Sequence, residues 1–307
     1  MKILVAGLGQ LGQHHVRILA KNGTVEVCAL VDSDARLSES FGKKYGLPHF
    51  ASVDAAPKPD AAVIVTPTPF HYPLAKKFLE EGVHCFVEKP FTATPAEADE
   101  LIDLAAKKNL VLQVGHIERF NPAVVAAKPF ITKPIFIEAN RIGPFSPRVA
   151  HIGVIMDLMI HDIDILLYLV GEKVKDIEAY GARVLTDHED MAKVRIRFEG
   201  GCVCDLSGSR VSLEKQRKIR IFQPDSYVSI DYAARSVKVY SKRVPEPKSF
   251  LDISVEKPKP PVYDQLEREL EHFIECARHG KRPAVTGEHG RDALELVGEI
   301  YKIIRLQ

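Results

Sequence analysis

Two rhythms of apolar and polar residues run along this chain. Up to residue 114, short, predominantly apolar runs at 3–6, 25–31, 60–65, 83–87 and 110–114 are followed within three residues by Gly, Asp or Pro. Between them lie helical-period stretches at 13–20, 72–81 and 95–108. Apolar runs without alternation are strands buried on both faces, and helices between them predict a doubly wound parallel sheet. After residue 114 the rhythm changes to one amphipathic helix at 155–170 and then alternating strands at 176–185, 192–198, 202–211, 218–222, 227–231 and 237–240. Glu199-Gly200-Gly201 predicts a hairpin, the Lys- and Pro-rich stretch 245–261 a loop or arm, and 263–279 and 291–306 two closing helices.

The expected architecture is α/β. A doubly wound parallel sheet over residues 1–120 is followed by an α+β domain over 121–307 with a large, mostly antiparallel sheet, and the C-terminal helices are free to pack back on the first domain. The outer face of the second sheet is a candidate surface for a homodimer or homotetramer.

Composition narrows this picture. A 307-residue chain suits two domains, and 46% hydrophobic with 27% charged residues is a globular composition. Its 42 basic and 41 acidic side chains leave a net charge of +1, which gives no footprint for nucleic acid or an anionic membrane. Five cysteines are too sparse for a disulfide framework. Cys28 and Cys85 fall inside apolar runs, whereas Cys202 and Cys204 share one strand face without the second pair a metal site needs. No apolar stretch reaches spanning length, so a cytoplasmic protein is expected.

Chemistry enters with the glycines. Gly7-Leu8-Gly9-Gln10-Leu11-Gly12 follows the first apolar run and opens a helix, the context in which Gly-x-Gly-x-x-Gly binds a dinucleotide pyrophosphate on backbone N–H groups. Asp32, at the end of the second run, suits both hydroxyls of an adenosine ribose. It favours NAD over NADP, which nearby Ser33 and Arg36 keep open; Asp32 is equally a candidate N-cap for the helix starting near Ala35. Thr66-Pro67-Thr68-Pro69 and Glu88-Lys89-Pro90 end two further strands on the edge where open α/β sheets place their ligands.

In the helix at 155–170, Asp157, His161 and Asp164 recur at spacings of four and three and share one stripe. A histidine with a carboxylate a turn to either side suits a general base, and equally a satisfied structural histidine. A metal site from His116, His151 and His161 matches no zincin spacing, and hydride transfer to NAD requires none; no metal is expected.

With these segments the chain resembles the glucose-fructose oxidoreductase and inositol dehydrogenase (Gfo/Idh/MocA) family over nearly its whole length. The resemblance implies catalytic roles for Lys89, Asp157 and His161. It implies a cofactor site drawn from Gly7, Gly9, Gln10, Leu11, Gly12, Asp32, Thr66, Pro67, His71, Glu88 and Lys89. Three further segments, Val114 to Pro122, Asp157 to Asp162, and Ser209-Arg210 through Arg220 to Asp225, are similar to the branch that oxidises UDP-N-acetylglucosamine at C3. The keto sugar made by that branch is later aminated for lipid A, which implies an aminotransferase as pathway partner. In that reading His116, Arg119, Arg141, Asp157, His161 and Arg210 meet the nucleotide sugar. Of the basic cluster Arg210, Lys215, Arg217, Lys218 and Arg220, a pyrophosphate could use any. Arg210 carries the substrate expectation and the others read as a solvated strand face. The alternatives are an NAD(P)-dependent dehydrogenase of another sugar or polyol, such as inositol or a uronic acid nucleotide sugar, and a non-catalytic NAD-binding sensor.

Overall fold

The computed structural model describes residues 1–307, the side chain of Arg148 excepted. Two units emerge, one made of residues 1–117 and 266–294, the other of 118–265 and 295–307.

In the first unit, strands β1 (Lys2–Ala6), β2 (Glu26–Val31), β3 (His49–Phe50), β4 (Ala61–Ile64), β5 (His84–Glu88) and β6 (Leu112–Gly115) form a parallel sheet in the order β3-β2-β1-β4-β5-β6. The order reverses beside β1, so β1 and β4 open a crevice at their carboxyl ends. Helices α1 (Gln10–Leu19), α2 (Ala35–Tyr45), α3 (His71–Glu80) and α4 (Pro95–Lys107) make the crossovers. Two of them start on side-chain caps: α2 is capped by Asp34, whose carboxylate accepts from Arg36 and Leu37 N–H, and α4 by a Thr94/Glu97 capping box with Pro95 behind it. The cap of α2 is therefore Asp34 and not Asp32, which leaves Asp32 to another task. The strand residues Ile3, Val5, Val63 and Phe86 are fully buried, and Phe86 packs edge-on against Phe273 from the C-terminal part of this unit.

The second unit begins with the short helix α5 (Pro122–Ala127) and the strand β7 (Phe136–Ile142). Five residues of π-helix (Ile155–Met159) run directly into α6 (Ile160–Val170). Strands β8 (Val174–Ala182), β9 (Met191–Phe198), β10 (Val203–Ser209), β11 (Gln216–Phe222), β12 (Ser226–Asp231), β13 (Ser236–Lys242) and β14 (Ile253–Glu256) follow, and β14 lies in the stretch expected to be a loop or an extended arm. Helix α7 (Gln265–His279), from residue 266 on, and α8 (Gly287–Ile303) up to residue 294 belong to the first unit; the rest of α8 and the last short strand, β15 (Arg305–Leu306), belong to the second.

The nine strands of this unit lie in the order β14-β13-β12-β11-β7-β10-β9-β8-β15. All neighbours are antiparallel except β7 with β10 and β15 with β8. β7 lies near the middle yet gives little sequence signal. Its inward positions are Ile137, Ala139 and Arg141, of which one is small and one charged, so the period-two alternation that marks a strand is blurred.

Candidate active site

The first unit builds its rim from backbone. Gly7 sits at φ +93°, and a Cβ there would come within 2.6 Å of the Val65 carbonyl carbon; a Cβ on Gly12 would come within 2.0 Å of the Gly7 oxygen. Both must be glycine. Gly9 differs: a Cβ there would meet nothing within 4 Å, and α1 starts behind it with no side-chain cap. Open space before uncapped N–H groups is what a pyrophosphate requires. Asp32 accepts from Leu8 N–H at 2.8 Å and from Asp34 N–H at 2.9 Å, which ties the end of β2 to the glycine turn and leaves further lone pairs for ribose hydroxyls. The hydroxyl oxygen of Thr66, past the end of β4, is buried without a hydrogen-bond partner among the described residues. These residues fit a dinucleotide.

Lys89 follows β5 and is half-buried. The carboxylate before it is committed: Glu88, 6% exposed, accepts from Lys89 N–H at 3.1 Å and pairs at 2.8 Å with Nε2 of His15, which is fully buried on α1. Glu88 thereby couples the helix behind the glycine turn to the backbone of the lysine. His71, 1% exposed at the start of α3, sets Nδ1 at 2.8 Å from the Pro90 carbonyl and Nε2 at 2.7 Å from the Thr66 carbonyl. Burial lowers its pKa and the two carbonyls oppose this. A neutral ring donates to one of the carbonyls, an imidazolium to both. Either way His71 spans the ends of β4 and β5.

The second unit uses charge. Asp157 and His161, both half-buried, stand on the π-helical turn and the first turn of α6, where Ile160 N–H reaches back to the Ile155 carbonyl. Glu189 reaches this element from another strand's approach: its Oε1 accepts from Ile155 N–H at 3.2 Å and from the Tyr301 hydroxyl at 2.8 Å. A Cβ on Gly153 would come within 1.8 Å of that carboxylate, so Gly153 is what lets it in. On either side of Asp162 and Asp164 are arginines. Arg141 donates to Asp162 through Nε (2.8 Å) and Nη2 (2.9 Å) and to Glu118 through Nη1 (2.9 Å); Arg119 donates to Asp164 through Nε and Nη2. Paired charges fix the rotation of the helix that carries His161.

A model of an oxidoreductase family with an NAD-binding Rossmann fold matches residues 1–116, and a model of the GFO/IDH/MocA C-terminal domain matches residues 140–224. UDP-N-acetylglucosamine 3-dehydrogenase of Acidithiobacillus ferrooxidans is 36% identical to this chain over 299 residues, 96% of this chain and 94% of that protein. The chain belongs to the Gfo/Idh/MocA oxidoreductase family. A solved structure of the A. ferrooxidans enzyme superposes with a TM-score of 0.92 at 34% identity, covering 99% of this chain and 97% of that one. The scyllo-inositol 2-dehydrogenase (NAD(+)) of Bacillus subtilis is a more distant relative, 29% identical over 93% of this chain and 89% of its own.

Within this Gfo/Idh/MocA frame, several of the expected site residues have partners inside the protein. Glu88 and His71, expected at the cofactor, are buried: His71 lies between the Thr66 and Pro90 carbonyls, and Glu88 between His15 on α1 and the Lys89 N–H. Arg119, Arg141 and Arg210 were expected to touch substrate. Arg119 and Arg141 are held by the carboxylates just described. Arg210, 3% exposed, donates to Asp190 at 2.6 Å, to the Val149 and Ile152 carbonyls and to the Thr186 hydroxyl. It anchors the loop that leads into the π-turn. Asp164 is taken by Arg119 and does not serve as a free carboxylate beside His161. His116 follows β6 and is buried. Cys202 and Cys204 lie 3.9 Å apart, both buried, and no group of three or more His, Cys, Asp or Glu among the described residues is placed to hold a metal.

Four partners escaped the sequence reading, for two different reasons. His15 was legible, because it lies on the buried stripe of α1 with Gly12, Val16 and Leu19, where a histidine asks for a partner. Glu118, Asp190 and Glu189 were not, since nothing local tells which distant arginine or helix a carboxylate will meet.

Proposed function

We propose that the protein oxidises the C3 hydroxyl of UDP-N-acetylglucosamine to the 3-keto sugar with NAD as oxidant. The observation that carries this reading is the full-length likeness to the A. ferrooxidans 3-dehydrogenase, 36% identical with a TM-score of 0.92 for the fold. NAD, when bound, accepts the hydride leaving the sugar carbon. Gly9 and the first turn of α1 bind its pyrophosphate, Asp32 its adenosine ribose, and the Thr66 hydroxyl a further polar group. Asp157 orients His161, and Lys89 stabilises the alkoxide that develops on the sugar oxygen. The proton acceptor is one of Lys89 and His161; pH profiles of Lys89→Met and His161→Ala distinguish them.

The finer surroundings belong to the same proposal: a cytoplasmic enzyme that supplies a keto sugar to an aminotransferase in lipid A biosynthesis, working as a homo-oligomer. The oligomer reading rests on the face of the nine-stranded sheet opposite α6. There Phe136, Phe222, Tyr227 and Tyr240 stack in one row with centroids 6.0, 4.9 and 5.3 Å apart, an apolar band across four strands. Among the described residues, no helix is long and apolar enough to cross a membrane.

The test mixes purified protein with NAD and a panel of nucleotide sugars and inositols and follows the absorbance of reduced cofactor. Turnover of UDP-N-acetylglucosamine above the rest is expected. Preference for an inositol would transfer the assignment to the polyol branch, and NAD binding with silence toward every substrate would make the chain a sensor.

A further inference from the structure

The basic cluster on β10 and β11 sorts into two groups once its partners are known. Arg220 pairs with Glu138 and Lys218 with Asp231 on the outer face of the sheet, while Arg210 is buried in the loop anchor. Arg217 is different. Its strand register places it opposite Arg141 on β7, which in turn lies opposite Gly208 on β10, so the three residues form one row on one face. Gly208 identifies that face, because a Cβ there would lie 3.2 Å from the Met159 side chain of the π-turn. Arg217 therefore belongs to the face and the sheet end that carry Asp157 and His161, two strand spacings or about 10 Å from the π-turn contact.

In this row Arg141 is consumed by Asp162 and Glu118, and its guanidinium lies 5.1 Å from the Tyr232 ring, across β11. Arg217 is left exposed and makes no ion pair among the described residues, yet its charge is felt at Asp162, the residue after His161. Lys215, also exposed, immediately precedes β11, its Cγ 4.0 Å from where a Gly143 Cβ would be. An exposed guanidinium and an ammonium at the mouth of a face whose other cations are neutralised present a net positive site to solvent.

We propose that Arg217, supported by Lys215, binds the diphosphate of the nucleotide-sugar substrate. This rests on the reading that the substrate is a nucleotide sugar, and it moves that role from Arg210, which is buried and commits four of its five N–H donors to Asp190, Val149, Ile152 and Thr186, to an exposed residue on another strand. The spacing suits it: a diphosphate linked to C1 of a sugar lies several ångströms from the C3 hydroxyl, and Arg217 is held about that far from the catalytic turn rather than upon it. The forked guanidinium matches phosphate oxygens in a way an ammonium does not.

Calorimetric titration of the NAD-loaded protein with UDP tests the assignment. Arg217→Ala is expected to weaken UDP binding about 10- to 100-fold, Arg217→Lys by less, and Lys215→Ala by less again. With UDP-N-acetylglucosamine, Arg217→Ala raises KM while kcat and the KM for NAD stay within about twofold, the mark of an interaction equal in ground and transition states. Because Arg217 is exposed, its thermal midpoint should not move. Unchanged UDP affinity in Arg217→Ala, or a wild-type protein that binds no UDP, overturns the assignment. If the wild type binds UDP and oxidises no UDP-sugar, the reaction proposed above falls, and the loss of UDP binding in Arg217→Ala still decides the diphosphate site.

Discussion

The two units position their chemistry by opposite means. In the first, neutral or singly charged side chains hold backbone: His71 grips two carbonyls, Glu88 an N–H and a histidine, Asp32 two N–H groups. In the second, arginines hold carboxylates on distant strands and helices. The first device is short-range and survives many changes of side chain, since the backbone is always present. The second is long-range and all-or-none, because a buried charge that loses its partner is stranded.

The largest effect separates chemistry from both devices. Lys89→Met and His161→Ala are each expected to lower kcat about 10²- to 10⁴-fold with NAD binding and unfolding midpoint unchanged; near-normal turnover in both would remove the catalytic assignment in either unit.

Next comes the contrast itself. Arg119→Met strands Asp164 and should cost about 3–5 kcal/mol in urea unfolding, most of it recovered in Arg119→Met/Asp164→Leu. In the first unit His15→Ala leaves the Glu88 carboxylate one partner short and should cost about 1–3 kcal/mol. Equal losses in the two would break the comparison.

The same comparison explains what the sequence could reveal. The parallel sheet, its glycine turn and the strand-end lysine are written in neighbouring residues, so Gly7 to Gly12, Asp32 and Lys89 were found from spacing and strand ends. Asp157 and His161 stood out because a helix brings residues four apart together. The carboxylate partners of Arg119, Arg141 and Arg210 were not legible, because a basic residue carries no local mark of whether it meets a substrate phosphate or a carboxylate 20 to 45 residues away. β7 was missed for the related reason that Arg141 occupies an inward strand position only because Asp162 and Glu118 neutralise it. The π-turn left no trace in the spacing.

A smaller effect should appear with pH. Burial alone would raise the pKa of Asp190, but N–H donors of Leu185, Val184 and Thr186 together with Arg210 hold it well below the usual carboxylate range. A depressed folded pKa stabilises above the unfolded value of about 4. That contribution is then lost as pH falls through the folded one. Urea midpoints should therefore decline as pH is lowered below about 4, and Asp190→Asn should be less stable at neutral pH with a flatter acid limb. The smallest effect is at the rim: His71, whose pKa is lowered by burial, binds fewer protons folded than unfolded, so its share of stability is full above about pH 6.5 and shrinks below it. His71→Gln should remove that shallow slope.

β7 pairs in parallel with β10, residues 136–142 against 203–209, and the π-turn with α6 lies in the connection between them. Parallel neighbours cannot be joined by a tight turn, so this pairing forms only after a long loop has closed, whereas the β9–β10 hairpin can zip locally. The helical segment bearing Asp157 and His161 is thus enclosed in a slow step of its sheet's assembly. During refolding, competence to oxidise substrate should arrive with the β7–β10 pairing, well after the hairpins of the second unit have formed.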